Sequence, residues 1–204
     1  MTGVIERPVV QRKRGAALES AILGAAWDEL TAVGYNAFSV EGVAARARTG
    51  KASIYRRWPT KQELVLDTMA EHLPTPEACG IDPNILDSVT TADALRQIAQ
   101  VITGVLTSPA GDAMRAIKCE AYSDPDLARL VDERFQEPRR AAMIGLLERG
   151  VQRGEVRPGA ATALVADVLP AVLAHRIVLQ REPITQQTIT EIIEQIMIPL
   201  VSVH

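Results

Sequence analysis

Over most of this chain, apolar residues recur at intervals of three and four. That is the period of one face of an α-helix. Ile22, Ala25, Ala26, Leu30 and Val33 keep the spacing and predict a helix over about 16–33, with Gly34 as its C-terminal stop. Tyr35, Ala37 and Phe38 form a short apolar connector. Ser39 has the chemistry of an N-cap and Glu41 suits the first turn beyond it. Val40, Val43 and Ala44 then predict a short helix over 40–47. After a break at Arg48-Thr49-Gly50, residues 51–58 predict another short helix, ended by Pro59. Thr60 and Glu63 form a capping box, opening a fourth helix that carries Leu64, Val65, Thr68, Met69 and Leu73.

Residues 74–90 hold Pro74, Pro76, Gly80 and Pro83 and are expected to form a linker. The helical period then resumes. Leu95, Ile98, Ile102 and Val105 predict a helix over 91–107, and Met114, Ile117 and Ala121 one over 113–122. Asp124-Pro125 breaks the chain. Leu130, Phe135, Ile144, Leu147 and Val151 mark a long charged helix ending near Gly154, bent or divided at Pro138. Two strongly apolar helices follow, over 160–181 and 185–201, and no segment alternates as a strand does. The expected fold is all-α, with about nine helices in four parts: a flexible basic arm (1–15), a small helical domain (16–73), the linker and a larger helical domain (91–204).

Composition adds limits. The 204 residues are 47% apolar and 23% charged, as in ordinary globular chains, so a disordered chain is excluded. Cys79 and Cys119 are too few for a disulfide framework or a zinc cluster. They read as a linker residue and a buried small apolar residue. No uninterrupted apolar run approaches the roughly 18 residues of a membrane span, and Met1–Arg14 lacks the apolar core of a signal peptide. A cytoplasmic protein with no membrane partner is expected. Residues 1–61 hold ten Lys/Arg against five Asp/Glu, whereas the remainder holds twelve against twenty. A basic head on an acidic body fits a nucleic-acid binder with a second task, and uneven solvated surface is the plainer alternative.

The stretch 39–63 carries the chemistry. Two short helices joined by a tight turn make a helix-turn-helix, whose second helix enters the major groove. In that second helix Ala52, Ile54 and Trp58 can pack inward, leaving Lys51, Ser53, Tyr55 and Arg56 as outward hydrogen-bonding groups for phosphates and base edges. Lys61 opens the next helix, where a phosphate oxygen is favoured. Arg57 suits either a DNA contact or a pair with Glu41 or Glu63. Arg12-Lys13-Arg14 suits a phosphate backbone, a minor groove or a plain tail.

The run Phe38-Ser39-Val40-Glu41-Gly42-Val43-Ala44, followed by Gly50-Lys51-Ala52-Ser53-Ile54-Tyr55-Arg56-Arg57-Trp58-Pro59-Thr60-Lys61-Gln62-Glu63-Leu64, closely resembles the DNA-binding domain of TetR-family transcriptional regulators. The resemblance covers about 16–73 and implies an all-α, homodimeric regulator whose larger domain binds a small molecule. It implies groove-facing roles for Thr49, Gly50, Lys51, Ser53, Tyr55 and Arg56, and a backbone contact for Lys61. Two positions depart from the family pattern. Arg48 stands where a small, Gly-like turn residue is usual, and it either adds a phosphate contact or is merely tolerated. Thr49 replaces a frequent apolar residue.

By the same resemblance, the ligand lies among the middle helices of the larger domain. There Val101, Val105, Met114, Ile117, Met143 and Leu147 offer an apolar lining, with Tyr122 and His175 as polar contacts, suited to an apolar or aromatic molecule. His175 also suits a satisfied interior or interface histidine. The last two helices carry broad apolar stripes, and Val168, Val172, Ile193 and Met197 are the candidate dimer contacts. The expected function is a repressor released from a pseudo-palindromic operator by its ligand. The alternative is a helical small-molecule-binding protein without DNA activity. No Gly-rich phosphate loop, zinc-protease motif or nucleophile–base pair nominates a catalytic, cofactor or metal role.

Overall fold

The computed structural model describes residues 9–73 and 89–203, with side chains from Gly15 onward. Cys79 and nearly all of the expected linker lie outside the described residues. The chain divides into two compact units, Met1–His72 and Leu73–His204.

In the first unit α1 spans Val9–Ala37, α2 Val40–Arg46, α3 Lys51–Tyr55 and α4 Lys61–His72. Helix α1 therefore begins inside the stretch expected to be a flexible arm. Its regular part stops at Gly34, whose φ of 74° lies in the left-handed region that glycine tolerates. Ile22, Ala26 and Leu30 are buried, whereas Val33 is 44% exposed and lies off the core face. Helix α1 packs on α2 and α4. Trp27 and His72 stack in parallel with centroids 4.5 Å apart, joining α1 to the end of α4.

The second unit holds five helical rods. They are α5 (Thr91–Leu106), α6 (Pro109–Ala121), α7 (Pro125–Val131 and Glu137–Gln152, joined by a π-turn at Asp132–Gln136), α8 (Ala163–Ala174 with a π-turn at His175–Gln180) and α9 (Gln186–Ile192 and Ile198–Val201, joined by a π-turn at Ile193–Met197). Counted this way, nine helices follow one another among the described residues. The only β pairing there is an isolated bridge between Val156 and Ser202.

Helix α6 starts earlier than the apolar period predicts. Ser108 accepts a hydrogen bond from the Gly111 amide, and Pro109 supplies the preset φ of a first helical residue. Pro138 and Pro199 neither end nor divide their helices. Each lacks the N–H for the i−4 carbonyl and follows a π-turn that widens the helix by one residue.

The main core of this unit gathers Leu95 and Ile98 of α5, Leu146 of α7, Leu169 and Leu173 of α8, and Ile189, Ile193 and Met197 of α9. A side cluster joins Leu147, Val156, Ala160, Val165 and Val201. The Glu155 carboxylate accepts hydrogen bonds from the amide and hydroxyl of Thr91, both at 2.6 Å, and Arg153 pairs with it at 3.0 Å. This ties the start of α5 to the turn after α7.

Helix α8 is apolar overall without containing a long uninterrupted apolar run. Ala163–Gln180 has a mean hydropathy of 1.5, long and apolar enough to cross a membrane by length and composition alone. Leu169 and Leu173 are fully buried in the core, while Leu164 (78%) and Leu179 (71%) are mostly exposed.

Candidate nucleic-acid interface

A two-turn helix does not persist by propensity, so the geometry of α3 comes from what holds it. Ser39 caps α2 by accepting from the Gly42 amide at 3.0 Å. Glu29 of α1 is buried and accepts from Arg46 Nε at 2.7 Å, fastening α2 to α1. The fit is close at Gly42, where a Cβ would collide with the Glu29 carboxylate.

The turn to α3 runs through Arg48 in the left-handed region, with φ of 51°. The Thr49 amide returns to the Ala44 carbonyl at 3.0 Å. Gly50 is the N-cap residue of α3, with extended φ and ψ and no side-chain cap. Ile54 and Trp58 then anchor α3 in the core, and Trp58 Nε1 donates to Asp67 of α4 at 2.7 Å. Complete burial of one Ile side chain contributes about 2–3 kcal/mol.

This anchoring leaves one face of the motif in solvent. Lys51, Tyr55 and Arg56 are exposed there, as are Arg48 and Gly50 in the preceding turn. Thr49 and Ser53 are half-buried. Ala52, expected to pack inward, is exposed instead. Arg57 turns back along its own helix and donates to the Ser53 carbonyl at 3.1 Å, pairing with neither Glu41 nor Glu63 in that contact.

Two cations have internal partners that the sequence did not reveal. Lys61 Nζ donates to the Tyr35 carbonyl at 2.6 Å and lies 4.2 Å from the centre of the Tyr35 ring. It thereby neutralises the carbonyl end of α1 and holds α4 against it. Lys51 Nζ pairs with Glu41 Oε1 of α2 at 2.6 Å. The Lys51 hydrogen bond holds the Glu41 carboxyl below its ordinary range, and the same bond raises Lys51. From the sequence Glu41 reads as a first-turn acid or a partner for Arg57, not for Lys51, and no local signal links Glu29 to Arg46. A glycine inside a helix, as at Gly42, is the local signal that such a close approach leaves.

The expected ligand residues do not converge on one cavity. Ile117, Met143 and Leu147 are buried, Met143 in the main core and Leu147 in the side cluster, whereas Val101, Val105 and Met114 are half-buried. Tyr122 is 94% exposed at an open cleft of about 330 Å³ beside Lys118, Val131 and Asp132. His175 is exposed, at another open cleft of about 480 Å³ with Val172, Arg176 and Gln180. Cys119, expected to be buried, is exposed.

Among the candidate dimer contacts, Ile193 and Met197 are fully enclosed in their own subunit's core and have no surface to offer a partner. Val168 and Val172 are half-buried. Among the described residues, no group of three or more His, Cys, Asp or Glu could hold a metal ion.

A helix-turn-helix with an exposed, donor-rich second helix, followed by a second helical unit, defines the class of helix-turn-helix DNA-binding regulators. Two family models match in the same order: bacterial regulatory proteins of the tetR family over residues 22–68, and the tetracyclin repressor-like C-terminal domain over residues 85–196. An uncharacterized HTH-type transcriptional regulator of Mycobacterium tuberculosis is 31% identical over 166 residues, covering 81% of this chain and 79% of the relative. The DNA-binding transcriptional repressor TetR of Mycobacteroides abscessus is 30% identical, covering 92% of this chain and 96% of its own. The solved structure of a Mesorhizobium loti protein assigned to the same family of regulators has a TM-score of 0.74 at 18% identity, covering 93% of this chain and 99% of that one. The chain belongs to the TetR family of transcriptional regulators.

Proposed function

We propose that this regulator is a homodimeric repressor, released from a pseudo-palindromic operator when a small apolar or aromatic molecule binds its larger domain. The observation that carries the reading is the exposed face of α3, where Lys51, Tyr55 and Arg56 stand on a helix held by buried Ile54 and Trp58. Lys51 reaches a base edge, and Tyr55 and Arg56 reach base edges and phosphates in the groove, with Gly50, Thr49 and Ser53 allowing close approach. Arg48 adds a phosphate contact from the turn. Lys61 acts chiefly as a positioning residue, because its ammonium already serves the Tyr35 carbonyl.

The dimer reading rests on α8. Leu164, Val178 and Leu179 leave apolar surface uncovered on a helix whose other side fills the core. A second copy of the same helix buries it, and two-fold symmetry sets paired heads on paired half-sites. Val168 and Val172 of the same helix are half-buried against the core and give the partner only their outer edges. The ligand releases DNA by favouring a state with the wrong head spacing, which requires different affinities for the two states. Cytoplasmic location follows from that task.

Electrophoretic shift of fragments from the source genome, repeated across salt, tests DNA binding. Thermal shift across a panel of apolar and charged small molecules tests the ligand class. Stabilisation by charged compounds alone would overturn the apolar assignment.

A further inference from the structure

Between Ser39 and Lys61 the chain carries six cations, Arg46, Arg48, Lys51, Arg56, Arg57 and Lys61, and a single carboxylate, Glu41. Arg46 is engaged by buried Glu29, Arg57 by the Ser53 carbonyl and Lys61 by the Tyr35 carbonyl. Glu41 takes the ammonium of Lys51 at 2.6 Å, with both side chains more than half exposed. An exposed pair contributes little stability. A carboxylate on the surface that meets a polyanion bears directly on binding.

The direction of that effect follows from the chemistry. Binding to arbitrary DNA runs on neutralising phosphates. A lysine already neutralised by its own glutamate adds nothing net to that, and the carboxylate repels a phosphate that approaches it. A guanine edge differs, because O6 and N7 present two acceptors at fixed positions in the major groove. An ammonium has three N–H donors, so one stays on Glu41 while the others reach the base.

We propose that Glu41 is a specificity-determining residue, which withholds Lys51 from phosphates and reserves its ammonium for a base acceptor, weakening binding to non-cognate DNA. The proposal rests on reading α3 as the recognition helix.

The test uses the full-length protein and a fluorescent duplex of random sequence, with affinity followed by anisotropy across KCl concentrations. Glu41→Gln should raise affinity for the random duplex about threefold or more at low salt. It should also steepen the slope of log K against log salt by about one, the value for one added phosphate contact. Glu71→Gln removes the same charge from the exposed far end of α4 and should leave the slope as in wild type. In a Lys51→Gln background, Glu41→Gln should no longer steepen it. An unchanged or weakened Glu41→Gln variant, or a gain matched by Glu71→Gln, overturns the role of Glu41. The underlying reading fails separately, if Lys51→Gln and Arg56→Ala bind fragments selected from the source genome as tightly as wild type.

Discussion

Replacing Gly42 with alanine sets two general effects against each other. Helix propensity alone favours alanine over glycine by up to about 1 kcal/mol. In this protein the new methyl group would overlap the Glu29 carboxylate. Glu29 is 7% exposed and its oxygen holds Arg46 Nε at 2.7 Å, so it cannot move without giving up that bond. Overpacking of this kind costs about 1–3 kcal/mol. A lost charged hydrogen bond costs about 1.5–3 kcal/mol, discounted here because Arg46 is 42% exposed. The net expectation is a loss of about 1–3 kcal/mol in the first unit. The two tryptophans, Trp27 and Trp58, both lie in that unit, so their fluorescence in a urea titration reports on it alone. The midpoint should fall by about 1 M at an ordinary urea dependence. Adding Gly42→Ala to a Glu29→Ala background should cost nothing further, since the obstruction is gone. A Gly42→Ala variant as stable as wild type, or more so, would refute the close-approach argument.

Three further outcomes follow from other parts of the molecule. Arg48→Gly relieves about 1–2 kcal/mol of left-handed strain against about 0.5–1 kcal/mol of added unfolded-state entropy; thermal denaturation should show equal or slightly higher stability, together with weaker DNA binding, and a clear loss of stability would contradict the turn geometry. Burial pushes the Glu155 carboxyl up, but the hydrogen bonds from Thr91 and Arg153 outweigh it and hold it below its ordinary range. Its stabilisation is therefore present above an unfolded value of about 4.3 and is lost as pH falls through the lower folded value; Glu155→Gln should flatten the acid limb of a stability–pH curve, and an unchanged limb would contradict this. Sedimentation should show association at micromolar concentration, reduced by Val172→Glu with the fold retained; a single species of 22.1 kDa for wild type would refute the dimer.

What the sequence disclosed divides along a physical line. Features decided within a few residues were legible: the stop at Gly34, the cap at Ser39, the hydroxyl of Thr60 on the Glu63 amide at 3.1 Å, and the anchoring of Trp58. Features decided by a distant partner were not. Lys61 looked like a phosphate contact because nothing local reveals its reach of 26 residues to the Tyr35 carbonyl. Ile193 and Met197 fell on an apolar stripe too broad for the period to separate the core side from the outer side. The lining of a pocket is illegible for a related reason, because periodicity gives the buried face of each helix but not whether facing helices leave a void. The early start of α6 had a readable signal in Ser108-Pro109, outweighed by the weak apolar period of the turn that follows it.

The central claim is that the exposed face of α3 reads DNA. The most direct measurement compares wild type with the Lys51→Ala, Tyr55→Ala double variant on fragments selected from the source genome, by anisotropy at one fixed salt concentration, with circular dichroism confirming an intact fold. Each exposed contact is worth about 1–3 kcal/mol when it reaches a base or an aligned phosphate. The account predicts affinity reduced by about tenfold or more and unchanged helix content. Wild-type affinity in the double variant would contradict it.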